Sequence, residues 1–132
     1  MILRMIISGA KVLAMQGSQL EEDLQKIKTF LSDNGIKLLF SSDAENYIDH
    51  HTSEIVIGCR QTPKHVVYTI LHEIGHYFLD IHFDSETKSS IVIEEVLAWD
   101  RGYDIGQTLQ INIDDEDWKE IMEDCIRQYI EQ

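Results

Sequence analysis

Apart from His72, Glu73 and His76, the stretch Thr69 to Phe78 (Thr-Ile-Leu-His-Glu-Ile-Gly-His-Tyr-Phe) is uncharged. A run this apolar must be buried, and any polar group it carries must find a partner there. Thr62-Pro63 supplies a helix start, with threonine at the N-cap and proline in the first turn. The spacing predicts a helix from Pro63 through His76 to about Asp80. At about 100° per residue, His65, Tyr68, Thr69, His72, His76 and Asp80 fall on one stripe of that helix. Val67, Ile70, Leu71, Ile74, Phe78 and Ile81 fall on the other. His72 and His76, four residues apart, can therefore offer imidazole nitrogens to a single cation. Glu73 projects beside them, placed to take a proton from water at that cation. Imidazole and carboxylate donors suit Zn2+, and a catalytic zinc keeps three protein ligands and one open position.

The rest of the chain supports a soluble globular domain. Its 132 residues are 43% hydrophobic and 27% charged, without repeats or low-complexity tracts, and are expected to form a single domain, 1–132. A net charge of −13 argues against direct nucleic-acid binding and against docking on an anionic membrane. Two cysteines, Cys59 and Cys125, are too few for a disulfide framework. Arg4 and Lys11 interrupt the apolar N-terminal stretch, which reads as neither a signal peptide nor a span. A cytoplasmic protein with reduced thiols is the expectation.

Ile2 to Met15 is compatible with a hairpin or a helix. Ser18-Gln19-Leu20-Glu21 has the form of a capping box, and Leu20, Leu24, Ile27, Phe30 and Leu31 predict a helix from Gln19 to Asp33. Ile36 to Phe40 reads as a strand, Ser41 to Ser53 as a polar loop with solvated His50 and His51, and Glu54 to Cys59 as a second strand. That second strand leads into the motif helix. It is expected either to pair with an extended substrate or to be an interior strand. A third helix begins near Glu86 and breaks at Ile111 to Asp115. A fourth carries Trp118, Ile121, Met122, Cys125, Ile126, Tyr129 and Ile130 on one apolar stripe.

Three residues compete to be the third ligand. His82 gives the spacing H-E-x-x-H-x5-H, but Leu79 stands where the chain would need a glycine to turn back. On the next helix, Glu94 shares its face with Thr87, Ser90 and Arg101. Glu95 shares its face with Ile91, Ala98, Trp99 and Gly102, a packed surface with small residues. A carboxylate on such a face needs compensation, and an ion held by two histidines would provide it, which favours Glu95.

Leu-His-Glu-Ile-Gly-His, followed some twenty residues later by Glu-Glu-Val-Leu-Ala-Trp, resembles the ImmA/IrrE-type family of small zinc metallopeptidases over roughly Glu54 to Gly106. The resemblance implies an α+β, zincin-like fold, with a small sheet packed on the H-E-x-x-H helix and further helices C-terminal. It implies His72, His76 and Glu95 as zinc ligands and Glu73 as the general base. It also implies a protein substrate, such as a regulator or repressor of a mobile element or stress response. Trp99 departs from the pattern, standing where an asparagine or aspartate often follows the alanine. Asp80, Asp84 or Asp100 would have to replace that partner.

The chemistry so expected is hydrolysis of peptide bonds. His65, Tyr68 and Tyr103 are candidate donors to the tetrahedral oxyanion, and sequence does not rank them. The competing expectation is a non-catalytic binding protein of the same fold that sequesters a partner. Such a protein has no need of Glu73.

Overall fold

The structure, a computed structural model, describes residues 11–42, 45–58, 63–79 and 87–131. Leu20, Leu24, Ile27 and Leu31 recur at helical spacing and are all buried, on helix α1, Lys11–Asp33. The helix starts eight residues before the expected Gln19, so Ser18 lies inside it and is not its N-cap. A capping box is a local preference of about 1 kcal/mol, small enough for the fold to override. The end is as expected. Gly35 takes φ +71°, and the amide of Ile36 returns to the Leu31 carbonyl at 2.8 Å, closing the last turn.

Three strands follow: β1 (Lys37–Ser41), β2 (Tyr47–Asp49) and β3 (Glu54–Gly58), in the order β1-β3-β2. β1 runs parallel to β3, pairing Leu38 with Ile55 and Phe40 with Ile57, and β2 runs antiparallel to it, pairing Ile48 with Ile55. β2 falls in the stretch expected to be loop. It is three residues long, too short for its own pattern to mark it, and its pairing comes from β3. In the turn after it, Asp49 Oδ1 accepts from the amides of His51 and Thr52, at 2.9 and 3.2 Å, and His50 and His51 are exposed as expected.

β3 occupies the middle of the sheet. Ile55, Val56 and Ile57 are all buried, as an uninterrupted apolar run in a central strand should be. Of the two expectations for this strand, pairing with an extended substrate is therefore overturned. Both edges of β3 are already taken, by β1 and β2.

Helices α2 (Pro63–Tyr77), α3 (Lys88–Thr108) and α4 (Asp115–Ile130) complete an α+β architecture of a small sheet and, among the described residues, four helices. The chain divides into two compact units between Ile70 and Leu71, inside α2. The first contains α1 and the sheet. The second runs from the C-terminal half of α2 through α3 and α4. In the latter, Leu71, Ile74, Ala98, Trp99, Ile111 and Trp118 are buried.

α3 starts at an N-cap, Thr87, whose hydroxyl accepts from the amide of Ser90 at 3.1 Å. α4 starts after its N-cap Asp114, which accepts from the amide of Asp117, and three acids in the first turn complement the helix dipole. The apolar stripe of α4 is covered only at one end. Trp118 is buried, Ile121, Met122, Cys125, Ile126 and Tyr129 are half-buried, and Ile130 is exposed. No helix among the described residues is long and apolar enough to cross a membrane.

Candidate metal centre

Glycines set the distance between the two helices that build the centre. A Cβ added to Gly75 of α2 would strike the Ala98 carbonyl of α3, and one added to Gly102 would strike the Leu71 carbonyl. With neither present, the backbones touch, and α3 brings a short acidic side chain up to the histidines of α2. Ala98 and Gly102 are the small residues that singled out the Glu95 face in the sequence.

Glu95 is 7% exposed, and its Oε2 accepts from Nε2 of His72 at 2.7 Å and from Nε2 of His76 at 3.2 Å. The three donor atoms lie within 4.8 Å of one another, and this group could hold a metal ion. Ligand atoms around a tetrahedral zinc at about 2.0–2.2 Å stand roughly 3.3 Å apart. The His76–Glu95 separation is close to that and the His72–Glu95 separation about 0.6 Å shorter, so two imidazoles and a carboxylate stand where they could hold an ion of this kind. Glu94 is half-buried and reaches His76 only as a neighbouring charge. His82 lies outside the described residues.

Burial and neighbouring charge shift the ionisation of Glu73, His76 and Glu95. Burial pushes Glu95 up, yet its hydrogen bonds to His72 and His76 and their charge outweigh this and hold it down at about 2. Burial disfavours the charge on His76, but the Glu95 hydrogen bond, with the charges of Glu95, Glu73 and Glu94, raises it above its ordinary value. Burial raises Glu73, and only part of this is undone by His72 and His76. The Glu73 carboxylate sits 3.9 Å from Nδ1 of His72. A buried carboxylate raised in this way is a better proton acceptor than one in water.

The candidate oxyanion donors are distributed differently from what the sequence offered. Tyr103 donates to Asp115 Oδ1 at 2.7 Å, at the head of α4. His65 is exposed and Tyr68 buried, both in the first unit. The tyrosine that faces Glu95 is Tyr129 of α4. Burial and then the Glu95 charge push its hydroxyl up to about 12, which keeps it protonated. Sequence pointed only to an apolar stripe containing Tyr129. Its proximity to the acid depends on how α4 returns along α3.

Cys125, on the same stripe, is a free thiol raised by burial and by the charge of Glu95. Cys59 lies outside the described residues. Of the acids proposed to replace the missing asparagine or aspartate, Asp100 is exposed, while Asp80 and Asp84 lie outside the described residues. Trp99 itself is 2% exposed, and its indole stacks on the His72 ring, with centroids 4.1 Å apart and planes within 8°.

Compared with protein-family models, curated proteins and solved structures, the chain shows no match. The centre therefore rests on its own geometry: two imidazoles and a carboxylate converging, with a second carboxylate alongside.

Proposed function

We propose that the protein is a zinc-dependent metallopeptidase with a zincin-like fold, of the ImmA/IrrE type that its sequence resembles. His72, His76 and Glu95 would hold the ion. The observation that carries the reading is the meeting of both Nε2 atoms on one buried Glu95 oxygen, with Glu73 one residue from His72. When bound, zinc would supply a Lewis acid for the scissile carbonyl and lower the pKa of water in its open position.

The chain's own groups do the remaining work. Glu73 takes the proton of the attacking water and passes it to the leaving amine, a role suited to a carboxylate whose basicity is raised by burial. The Tyr129 hydroxyl, protonated across the neutral range and facing Glu95, is a donor for the oxyanion. The substrate is a protein or peptide, in keeping with a regulator or repressor cleaved in the cytoplasm. A structural zinc site is disfavoured, because such sites close all four positions and usually use more cysteine.

Glu73→Gln is the test. The variant should take up about one zinc per chain while its cleavage of a peptide library, read by mass spectrometry, falls by about 10²–10⁴. Equal cleavage by both proteins would remove Glu73 from the reaction. Zinc uptake without any cleavage by the wild type would favour a binding protein that sequesters its partner.

A further inference from the structure

A metal-ligating imidazole has to be held in one ring orientation. The usual device is a hydrogen bond from the ring nitrogen that faces away from the ion to a carboxylate, carbonyl or water. His72 turns Nε2 to Glu95, which leaves Nδ1 for that purpose. The carboxylate on that side is Glu73, 3.9 Å away, too far for a hydrogen bond. Asp100, which follows Trp99 in the chain, points to solvent.

What meets the His72 ring is the face of Trp99. The two planes lie within 8° of each other, at a centroid distance of 4.1 Å. Trp99 is itself immobilised. It is buried, and Trp118 packs edge-on against it at 5.0 Å and 80°, with Tyr103 following at 5.8 Å from Trp118. The indole N–H is buried and has no hydrogen-bond partner among the described residues. It acts weakly on the Cys125 thiol, favouring the thiolate against burial. Polar pairing therefore does not explain why the ring sits there. Face-to-face packing does, and it must offset a donor left unpaired.

We propose that Trp99 is the positioning residue of the centre, its indole face setting the plane of the His72 ring and so aiming Nε2 at the ion. Turning His72 about its Cβ–Cγ bond would drive the ring edge into the indole, whereas the observed plane is free of that clash. The stack therefore removes in advance a rotation that ligation would otherwise have to freeze. His76 is more exposed, at 23% of its side chain against 9% for His72. This inference rests on the metal-centre reading above.

The experiment measures zinc affinity by competition with a chromophoric chelator, with Co2+ absorption as a second readout of ligand geometry. Trp99→Leu removes the flat face, and Trp99→Phe keeps one. Ile27→Val, a core change in the first unit, controls for a general loss of stability. Trp99→Leu should weaken zinc binding by about 10–100-fold and alter the Co2+ spectrum, while Trp99→Phe stays within about threefold of wild type. Leucine and phenylalanine variants of equal affinity, or a leucine variant no weaker than the Ile27→Val control, would overturn the proposal.

Should Trp99→Leu fail to fold, the zinc-loaded wild type decides. Stacking on the indole must displace the His72 ring-proton signals upfield of those of His76, and their coincidence would overturn the proposal too. Wild-type protein that takes up no zinc is a different failure. It removes the metal centre itself, and the role of Trp99 with it.

Discussion

Glu95 is the residue whose environment departs furthest from what water would give it, and the pH behaviour of the metal-free protein follows from it and His76. The carboxyl of Glu95 is depressed to about 2, so its contribution is present above its ordinary value of 4.5 and is lost as pH falls towards 2. His76 is raised, so its contribution is present below 6.5 and disappears as pH climbs through the higher folded value. Glu73, raised by burial, subtracts stability once it ionises, in the same upward direction. Metal-free protein should accordingly melt at a lower temperature at pH 8 than at pH 6. Zinc should narrow that gap, because the ion replaces the proton as partner to Glu95. Thermal melts with and without a chelator check this, and a chelated sample with the same melting temperature at both values would contradict it. Glu95 could be preferred over Glu94 in the sequence, because Ala98, Trp99 and Gly102 on its face imply close packing. The stack of Trp99 on His72 could not be read there. It depends on the angle at which two helices cross.

That crossing is the controlling feature at the level of elements. Gly75 and Gly102 remove the two Cβ atoms that would otherwise hold α2 away from α3. Gly75→Ala should cost at least about 3 kcal/mol, at the top of the usual range for overpacking, because the obstruction is backbone and cannot rotate away. The same change should abolish zinc uptake, since Glu95 would no longer reach both histidines. Chemical denaturation and a zinc titration of one sample measure both effects, and full zinc affinity in the alanine variant would refute the link. Helices with strong apolar spacing were legible in the chain, as was the end of α1 at Asp33. The first turns of α1 were not, since Ser18 advertised a cap that the fold does not use. β2 and the central place of β3 were also out of reach. Strand order is decided by partners far apart in sequence, and the three-residue segment Tyr47–Asp49 becomes a strand only when β3 offers it an edge.

For the whole molecule, the excess of 24 acids over 11 bases matters more to behaviour than to fold. Self-repulsion at a net charge of −13 should make the protein more stable when it is screened. The melting temperature of metal-free protein should rise between about 20 and about 500 mM sodium chloride, where the screening length shrinks from roughly 20 to 4 Å. A melting temperature that stays level across that range would show the acids to be too dispersed to matter. The shared oxygen of Glu95 carries a further consequence for the molecule as an electrical object. Before an ion enters, the charged form of His76 is favoured beside Glu95, and a divalent cation can bind its Nε2 only by expelling that proton. Loading is thus an exchange more than an addition. Near neutrality the protein's total charge should change by less than the charge of the ion, and the heat released on loading should differ between buffers according to how each takes up the expelled hydrogen ion.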